Sequence, residues 1–521
     1  MTPVSLLYTY QTGVQSLNAL NALWFGFLYS TFLAGGLLYA RLFGSRTVNA
    51  ILASCYSLVG LDFWNIHAPT GMYESLLKLM NVSYILAHGH LAPPSFGYMN
   101  WPSLFIGGVE FSQIVQPGAL LTYYLAVSAV FVGFLMYVFA SKVLGRPFES
   151  LLCSIIAIEG NISINTFSYH PDLLSIPLIL TFLMLVHQAQ RNQNATVMIS
   201  AVVFLATTIQ DFQASVSILV YVLLLALYSR WIRHKTQIGS SFWVFVLVGL
   251  VWALFWAWST TRTLLGEIVS DFTSGIGNHA TFAVGVKVSQ PAWVVATEFA
   301  WIGLLVGLPG IMVMFRVLRR SHTTVNLPGL FLIATGLLVL SSFFTRSSNI
   351  SVVLLYGPLA GSIIVSTLFF RRKSTSLLLV VLVVFLAAPS FFAVNGSVQS
   401  GYISEQEYAA ATFTLPHYPG TSVYAYSTAF TYFGPNTTVV TPSISGSPKN
   451  LPGPSGIDYL FSQYFEQAIS TNVPLNYQPS MAGFFGHLYG YGLVQSIRED
   501  IRVIARSSDL VYSNGYDSTF I

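Results

Sequence analysis

The feature of this sequence that most constrains its fold is a succession of long apolar stretches separated by short polar connections. Most of the stretches are about 17–25 residues long, the length of a helix that crosses the hydrocarbon core of a bilayer. Only 8% of the 521 residues are charged, whereas a soluble domain carries roughly 25%. The sequence therefore predicts a polytopic α-helical membrane protein with about 12 transmembrane helices, and it excludes a soluble enzyme.

The twelve predicted spans lie in the first three quarters of the chain. They are found near residues 17–40, 47–61, 118–141, 148–166, 173–189, 196–210, 213–229, 241–259, 291–315, 327–344, 350–370 and 375–393.

Basic residues are concentrated on alternate connections between these spans. Fourteen Lys and Arg residues follow odd-numbered spans, and four lie on the other connections before residue 394. Short cytoplasmic loops carry an excess of Lys and Arg, so the odd-numbered spans are predicted to end in the cytoplasm. The N-terminus, a long first loop at 62–117 and residues 394–521 then lie outside the cell membrane. The net charge of +4 reflects these basic residues on the predicted cytoplasmic connections and does not indicate nucleic-acid binding.

Acidic residues have the opposite distribution. Among the ten that precede residue 394, only Glu149 lies on the predicted cytoplasmic side. Solvation of the exterior loops explains such a bias, and so does an acid-lined cavity that opens at the outer face. Asp62, Glu159 and Glu298 favour the cavity, because each borders or interrupts an apolar stretch, where ionisable groups are costly and tend to be functional.

The C-terminal region 394–521 differs from the transmembrane domain 1–393, because it is rich in Pro, Gly, Ser, Thr, Tyr and Asn. The stretch 420–441 predicts two strands around a turn, and 456–471 predicts a helix. The end of the chain predicts a strand, a turn at Asn514-Gly515 and a second short strand. We therefore expect a small mixed α/β exterior C-terminal domain.

The predicted exterior loop 62–117 is the richest segment in polar and aromatic residues. It opens with Asp62, continues through an amphipathic helical stretch at 71–87, and reaches a turn at His88-Gly89-His90. A carboxylate at a membrane exit can act as a general base or bind a divalent cation, and it can equally be a solvated helix end. The two turn histidines resemble half of a zinc site, but no third ligand follows at a recognisable spacing.

The layout of this loop resembles the GT-C class, integral membrane glycosyltransferases that use polyprenyl-phosphate sugar donors. The similarity rests on Asp62 at the end of an early span, the Gly89-His90 turn and the return into the membrane at Tyr98–Pro102. Two other segments are similar to members of the class, His170-Pro171-Asp172 and the tail Asp509–Gly515. No second acid follows Asp62 at the D-x-D spacing, and no W-W-D-Y-G motif occurs. The resemblance therefore extends to a divergent or non-catalytic relative of the class.

The resemblance implies transfer of a hexose or pentose from a lipid-phosphate donor at the outer face. Inverting transfer needs one carboxylate that takes the proton of the acceptor, and Asp62 is the candidate for this base. Asp172 or Glu159 would support it or form part of a site for a divalent cation such as Mg²⁺ or Mn²⁺.

The same resemblance assigns the remaining candidate residues. The leaving lipid phosphate needs a nearby cation, for which Arg346 is the candidate, with anchoring to lipid headgroups as the alternative. His67 and His90 are candidates for contact with sugar or phosphate, or are solvated loop histidines. The implied partners are the lipid bilayer, the polyprenyl-phosphate sugar donor and other membrane proteins.

Two other classes of protein stay open. The scarcity of strong motifs is compatible with a non-catalytic integral membrane subunit of a larger respiratory or export complex. A transporter is the third alternative, although the sequence has no convincing internal repeat and its ionisable groups cluster at one face.

Overall fold

A computed structural model of the chain describes most of residues 19–397 and a small sheet near the C-terminus. The described residues are 19–67, 81–82, 84–91, 101–114, 120–164, 171–188, 194–231, 241–258, 262, 292–319, 326–342, 350–370 and 373–397, together with five strands between 422 and 520.

Helices make up almost all of the described part of residues 19–397. In chain order they are α1 (Ala19–Phe43), α2 (Arg46–His67), α3 (Ser103–Ser112), α4 (Leu120–Leu144), α5 (Pro147–Ile164), α6 (Pro171–Gln188), α7 (Asn194–Gln210), α8 (Phe212–Trp231), α9 (Phe242–Phe255), α10 (Ala292–Ile302), a π-helical turn (Gly303–Gly307), α11 (Leu308–Leu318), α12 (Asn326–Ser342), α13 (Ile350–Phe369) and α14 (Lys373–Ser397).

Each of the twelve predicted spans overlaps a helix, and the ninth corresponds to α10, the π-helical turn and α11 together. Three described segments are both long and apolar enough to cross a membrane, namely Ala126–Leu144, Phe212–Trp231 and Phe299–Leu318. Several other apolar helices are shorter within their described parts. The chain is thus a helical protein with membrane-compatible segments, and the count of twelve spans stays a prediction.

Two predicted boundaries differ from the structure. α2 continues past Asp62 to His67, so the predicted loop 62–117 begins inside a helix and also contains α3. Residues 62–67 contain no helix breaker, and the first proline after them in the sequence is Pro69, which disfavours helical geometry in the residue before it. α14 likewise extends to Ser397, past the predicted domain boundary at 393.

The centre of the bundle is α5. Residues 150–161 of this helix are all buried, and α5 contacts α2, α4, α13 and α14. A second helix, α13, is buried throughout residues 355–366. These two helices touch each other, so the core runs along their interface and the other helices surround it.

Small residues allow the closest helix contacts in this core. A Cβ atom added at Gly361 of α13 would overlap the carbonyl oxygen of Leu305 in the π-helical turn. A Cβ atom added at Gly133 of α4 would overlap the carbonyl oxygen of Ala53 in α2. Small residues at such positions let helix backbones approach closely, which is the typical packing of membrane helices.

The C-terminal strands form one five-stranded sheet of order β2-β1-β3-β5-β4. The strands are β1 (Ser422–Ala425), β2 (Val439–Val440), β3 (Ile457–Ser462), β4 (Leu510–Ser513) and β5 (Asp517–Phe520). β1 pairs in parallel with β2 and β3, whereas β5 pairs antiparallel with β3 and β4.

This sheet confirms one C-terminal prediction and corrects two. The strands predicted at the end of the chain are present as β4 and β5, joined by residues 514–516 outside the described part. The two strands predicted within 420–441 exist but pair in parallel, so they are not the arms of a hairpin. The helix predicted at 456–471 is wrong over residues 457–462, where the central strand β3 lies instead.

Candidate functional site

A single buried residue, Asp211, connects α7 to α8. Its N–H donates to the carbonyl oxygen of Thr207 over 2.8 Å, and its own carbonyl accepts from the N–H of Ser215 over 3.2 Å. The Oδ1 atom accepts from the N–H of Gln213 over 2.7 Å. This is the N-cap arrangement for which Asp is favoured. Asp211, which separates two apolar stretches, therefore caps the N-terminus of α8.

The other carboxylate oxygen of Asp211 joins a buried hydrogen-bond network. Tyr356 of α13 donates its hydroxyl to Oδ2 of Asp211 over 2.7 Å, and Ser175 of α6 lies 2.7 Å from the same tyrosine oxygen. A tyrosine hydroxyl has one hydrogen. When Asp211 is ionised this hydrogen points to the carboxylate, so Ser175 donates to Tyr356. The network therefore runs from Ser175 through Tyr356 to Asp211 and joins three parts of the bundle.

A second buried carboxylate, Glu159, lies in the central helix α5. It is 0% exposed, and the hydroxyl of Tyr29 in α1 donates to its Oε1 atom. A buried carboxylate needs such partners, because an uncompensated charge in an apolar interior is strongly unfavourable. The hydrogen bond between Tyr29 and Glu159 connects α1 to the central helix α5.

A narrow recess lies in the interior of the bundle between α4, α5, α6 and α13. It is lined by Val132, Met136, Ala157, Ile158, Asn161, Ile176 and Leu359. Asn161 follows Glu159 by two residues and Ile176 is next to Ser175 in the chain, but neither carboxylate is among the lining residues. The side-chain N–H of Asn161 donates to the carbonyl oxygen of Ala157 over 2.9 Å, and its buried Oδ1 accepts no hydrogen bond from the described residues.

The backbone places Asp62 near the same end of the bundle. Tyr29 lies fourteen residues before the end of α1, and its partner Glu159 lies twelve residues after the start of α5. The α1–α2 and α4–α5 turns are therefore level with each other. Asp62 lies sixteen residues after the start of α2, or about 24 Å along the helix at 1.5 Å per residue, compared with about 18 Å for Glu159 along α5.

The remaining predicted site residues are placed only in part. Asp172 is the second residue of α6, one helical turn before Ser175, and His67 is the last residue of α2. The side chains of Asp62, His67 and Asp172 lie outside the described residues, as does the whole of Arg346. Their catalytic and phosphate-binding roles stay predictions.

His90 lies in the turn that follows residues 84–88, which are helical. Gly89 has a φ of 71°, a left-handed conformation that only glycine adopts easily. The turn predicted at residues 88–90 is thus confirmed, and His88 and His90 are both exposed. Contact between His90 and a substrate stays a prediction.

Within the described part of the chain, no group of three or more His, Cys, Asp or Glu side chains is arranged to hold a metal ion. The side chains of Asp62 and Asp172, which the sequence predicts near a Mg²⁺ or Mn²⁺ site, lie outside that part. The divalent cation therefore stays a prediction.

Sequence reasoning did not select the Ser175–Tyr356–Asp211 network. Asp211 had one signal, since it is a lone acid between two apolar stretches that together span residues 196–229. Ser175 and Tyr356 had none, because single hydroxyl residues inside apolar helices are common. Only the packing of α6, α8 and α13 brings the three side chains together.

The chain was compared with models of known protein families and with curated proteins, and neither comparison gives a match.

Proposed function

We propose that the chain is a multi-pass membrane protein of twelve spans that transfers a sugar from a lipid-phosphate donor at its outer face. The observation that carries the proposal is the pair of buried carboxylates, Glu159 and Asp211, at the end of the bundle where Asp62 and Asp172 also lie. Four acids of four different elements at one end form the kind of region that such a reaction needs.

The membrane part of the proposal is supported by which residues are exposed. Large apolar side chains cover the outside of the bundle, including Phe43 at 70%, Leu247 at 62% and Phe385 at 72%. Serine, threonine and acidic side chains occur in its core, where Glu159 and Ser175 are both 0% exposed. Such an apolar surface around polar interior contacts suits a bilayer as the surrounding solvent.

The orientation is supported by the positions of the basic residues relative to the acids. Arg46 begins α2 and Arg146 precedes α5, at the end of the bundle opposite Glu159. Arg146 binds Glu149 over 2.7 Å, and this hydrogen bond raises the pKa of the arginine above its ordinary value. Positive charge marks the cytoplasmic side, so the acid-bearing end faces outward.

In the proposed reaction Asp62 accepts the proton of an acceptor hydroxyl or amide as that group attacks the anomeric carbon. The bond from the sugar to the lipid phosphate breaks, and Arg346 compensates the charge of the departing phosphate. Glu159 is buried against Tyr29, and these surroundings favour its supporting role, which is to hold α5 and α1 in place. Asp172 is the better candidate for contact with a divalent cation.

The test is transfer of labelled sugar from a polyprenyl-phosphate donor in vesicles that contain the full-length protein. We expect Asp62→Asn to reduce transfer at least 100-fold, because general-base catalysis contributes about 10²–10⁴-fold. Glu149→Gln is the matched control, since it also removes one carboxylate near a helix end but at the opposite end of the bundle. Wild-type transfer by Asp62→Asn would refute the assignment of the base.

Proton- or ion-coupled transport is a second candidate, favoured by the location of Glu159 in the interior of the bundle. Ionisable groups inside membrane proteins commonly mark proton or ion pathways. Counterflow of candidate solutes in proteoliposomes distinguishes the two functions. A transporter would lose counterflow in Glu159→Gln and would have no transferase activity for Asp62→Asn to abolish.

A further inference from the structure

Outside the predicted spans, two exposed histidines follow a short helical segment that is anchored to the bundle. Val82 is fully buried in the core, and Ile85 and Leu91 pack against that core. His88 and His90 lie between these anchors. Because Gly89 adopts a φ of 71°, the chain reverses between the two histidines and brings their ring centroids to within 6.0 Å.

Both imidazole rings have one nitrogen fixed by a backbone carbonyl. The Nδ1 atom of His88 lies 3.0 Å from the carbonyl oxygen of Tyr84, and Nδ1 of His90 lies 2.8 Å from that of Leu91. A carbonyl oxygen can only accept a hydrogen bond, so each Nδ1 carries the hydrogen. The Nε2 atom of each neutral ring is then the one with a free lone pair.

This arrangement is the one that metal-binding histidines use. A histidine ligand almost always donates its second ring nitrogen to a carbonyl or carboxylate, which fixes the tautomer and the ring orientation. Tyr84 adds a further constraint, because its ring stacks on His88 at 4.1 Å and meets His90 edge-on at 5.7 Å. These contacts set the tautomer of both rings and restrict their orientation before any ligand binds.

We propose that His88 and His90 form a two-histidine site for a first-row transition-metal ion, with Cu²⁺ and Zn²⁺ as the ions it takes. The two exposed rings, whose centroids are 6.0 Å apart, would rotate to bring both Nε2 atoms onto one metal with bonds of about 2.0–2.1 Å. Imidazole ligands favour such ions over Mg²⁺ and Ca²⁺, and Cu²⁺ binds more tightly than Zn²⁺. Water or an external ligand fills the remaining coordination positions. The site shares His90 with the residues that the resemblance assigns to substrate contact, but metal binding at this site does not depend on sugar transfer.

The experiment uses the full-length protein in nanodiscs after removal of any affinity tag. Cu²⁺ binding is followed by electron paramagnetic resonance, in which coupling to two nitrogen nuclei is expected, and Zn²⁺ binding is measured by calorimetry. We expect His88→Gln and His90→Gln each to weaken binding of both ions at least about tenfold, and the double variant to lose the site.

Two further variants make the test specific. His187→Gln removes an imidazole near the opposite end of the bundle and is expected to bind both ions as the wild type does. Gly89→Val keeps both histidines but strains the turn, and is expected to weaken binding. Wild-type affinity in the double variant, equal weakening by His187→Gln, or coupling to fewer than two nitrogens would each overturn the proposal.

Discussion

The more apolar helix α9 is largely exposed, whereas α5, which carries polar residues, is buried. This is the reverse of what is expected for a soluble protein. All fourteen residues of α9 are apolar or glycine, yet Phe245 is the only one buried, and Trp243 and Phe255 are 75% and 83% exposed. By contrast, α5 carries serines, Glu159 and Asn161 and is buried along residues 150–161. In water, the more apolar helix would occupy the interior.

The difference shows that apolarity alone does not select the interior of this bundle, which also holds polar side chains such as Glu159 and Asn161. In a bilayer, apolar side chains gain nothing by leaving the lipid, whereas polar side chains need partners that only other helices provide. Tyr29 supplies such a partner for Glu159, and Tyr356 supplies one for Asp211. The central helices are held by close contacts and hydrogen bonds, and in the proposed membrane location lipid would surround the peripheral helices.

The largest expected effect tests the close contacts of the interior. In Gly361→Val the new side chain would overlap the backbone of Leu305, and because backbone cannot move aside cheaply we expect a loss of about 3 kcal/mol or more. The matched variant is Gly336→Ala in α12, where an added Cβ meets no atom within 4 Å and stability should change by less than about 1 kcal/mol. Thermal unfolding in detergent measures both, and equal stability of the two variants would contradict the packing.

The next effect tests the proposed contact of α9 with lipid. Leu247 in the middle of α9 is 62% exposed, and Leu247→Lys would place a charge in the hydrocarbon, at a cost of about 2.5–3.5 kcal/mol. Leu42 is 63% exposed but lies next to Arg41 at the end of α1, where a lysine can reach the headgroups. Membrane integration should therefore fall in Leu247→Lys and not in Leu42→Lys. If α9 faced water, neither variant would matter.

Much of the helical architecture could be predicted because it is a local property of the sequence. An apolar stretch of sufficient length forms a helix in a bilayer whatever its neighbours are, so each predicted span overlaps a helix. The end of α2 was missed because the prediction treated Asp62 as the membrane boundary, whereas the helix continues to His67.

The C-terminal sheet and the candidate site depend on contacts that are distant in the chain. The local sequence of β3 predicts part of a helix. In the structure β3 pairs with β1 on one side and β5 on the other, and this pairing overrides the local preference. Glu159 could be selected from the sequence because a carboxylate in an apolar stretch is conspicuous. Tyr356 and Ser175 could not, since their meeting is set by helix packing.

A smaller effect is expected from the hydrogen-bond network of the interior. Tyr356→Phe removes the donor to Oδ2 of Asp211 and the link to Ser175, which should cost about 1–3 kcal/mol for a buried carboxylate. Tyr39→Phe in α1 is the control, because Tyr39 is 50% exposed and its change should stay within about 0.5 kcal/mol. Chemical denaturation of both variants measures the difference. Equal values would mean that the network adds nothing to stability.

The smallest effect on stability is expected at Asn161. Its replacement distinguishes buried polar residues that stabilise the bundle from buried polar residues that serve function. The buried Oδ1 of Asn161 accepts no hydrogen bond from the described residues, so Asn161→Leu should leave stability within about 1 kcal/mol of the wild type. Glu159→Leu, two residues away, should cost about 1–3 kcal/mol because it leaves Tyr29 without this acceptor. A stable Asn161→Leu protein that has lost sugar transfer would place the recess in the working site, whereas unchanged transfer would exclude the recess from that site.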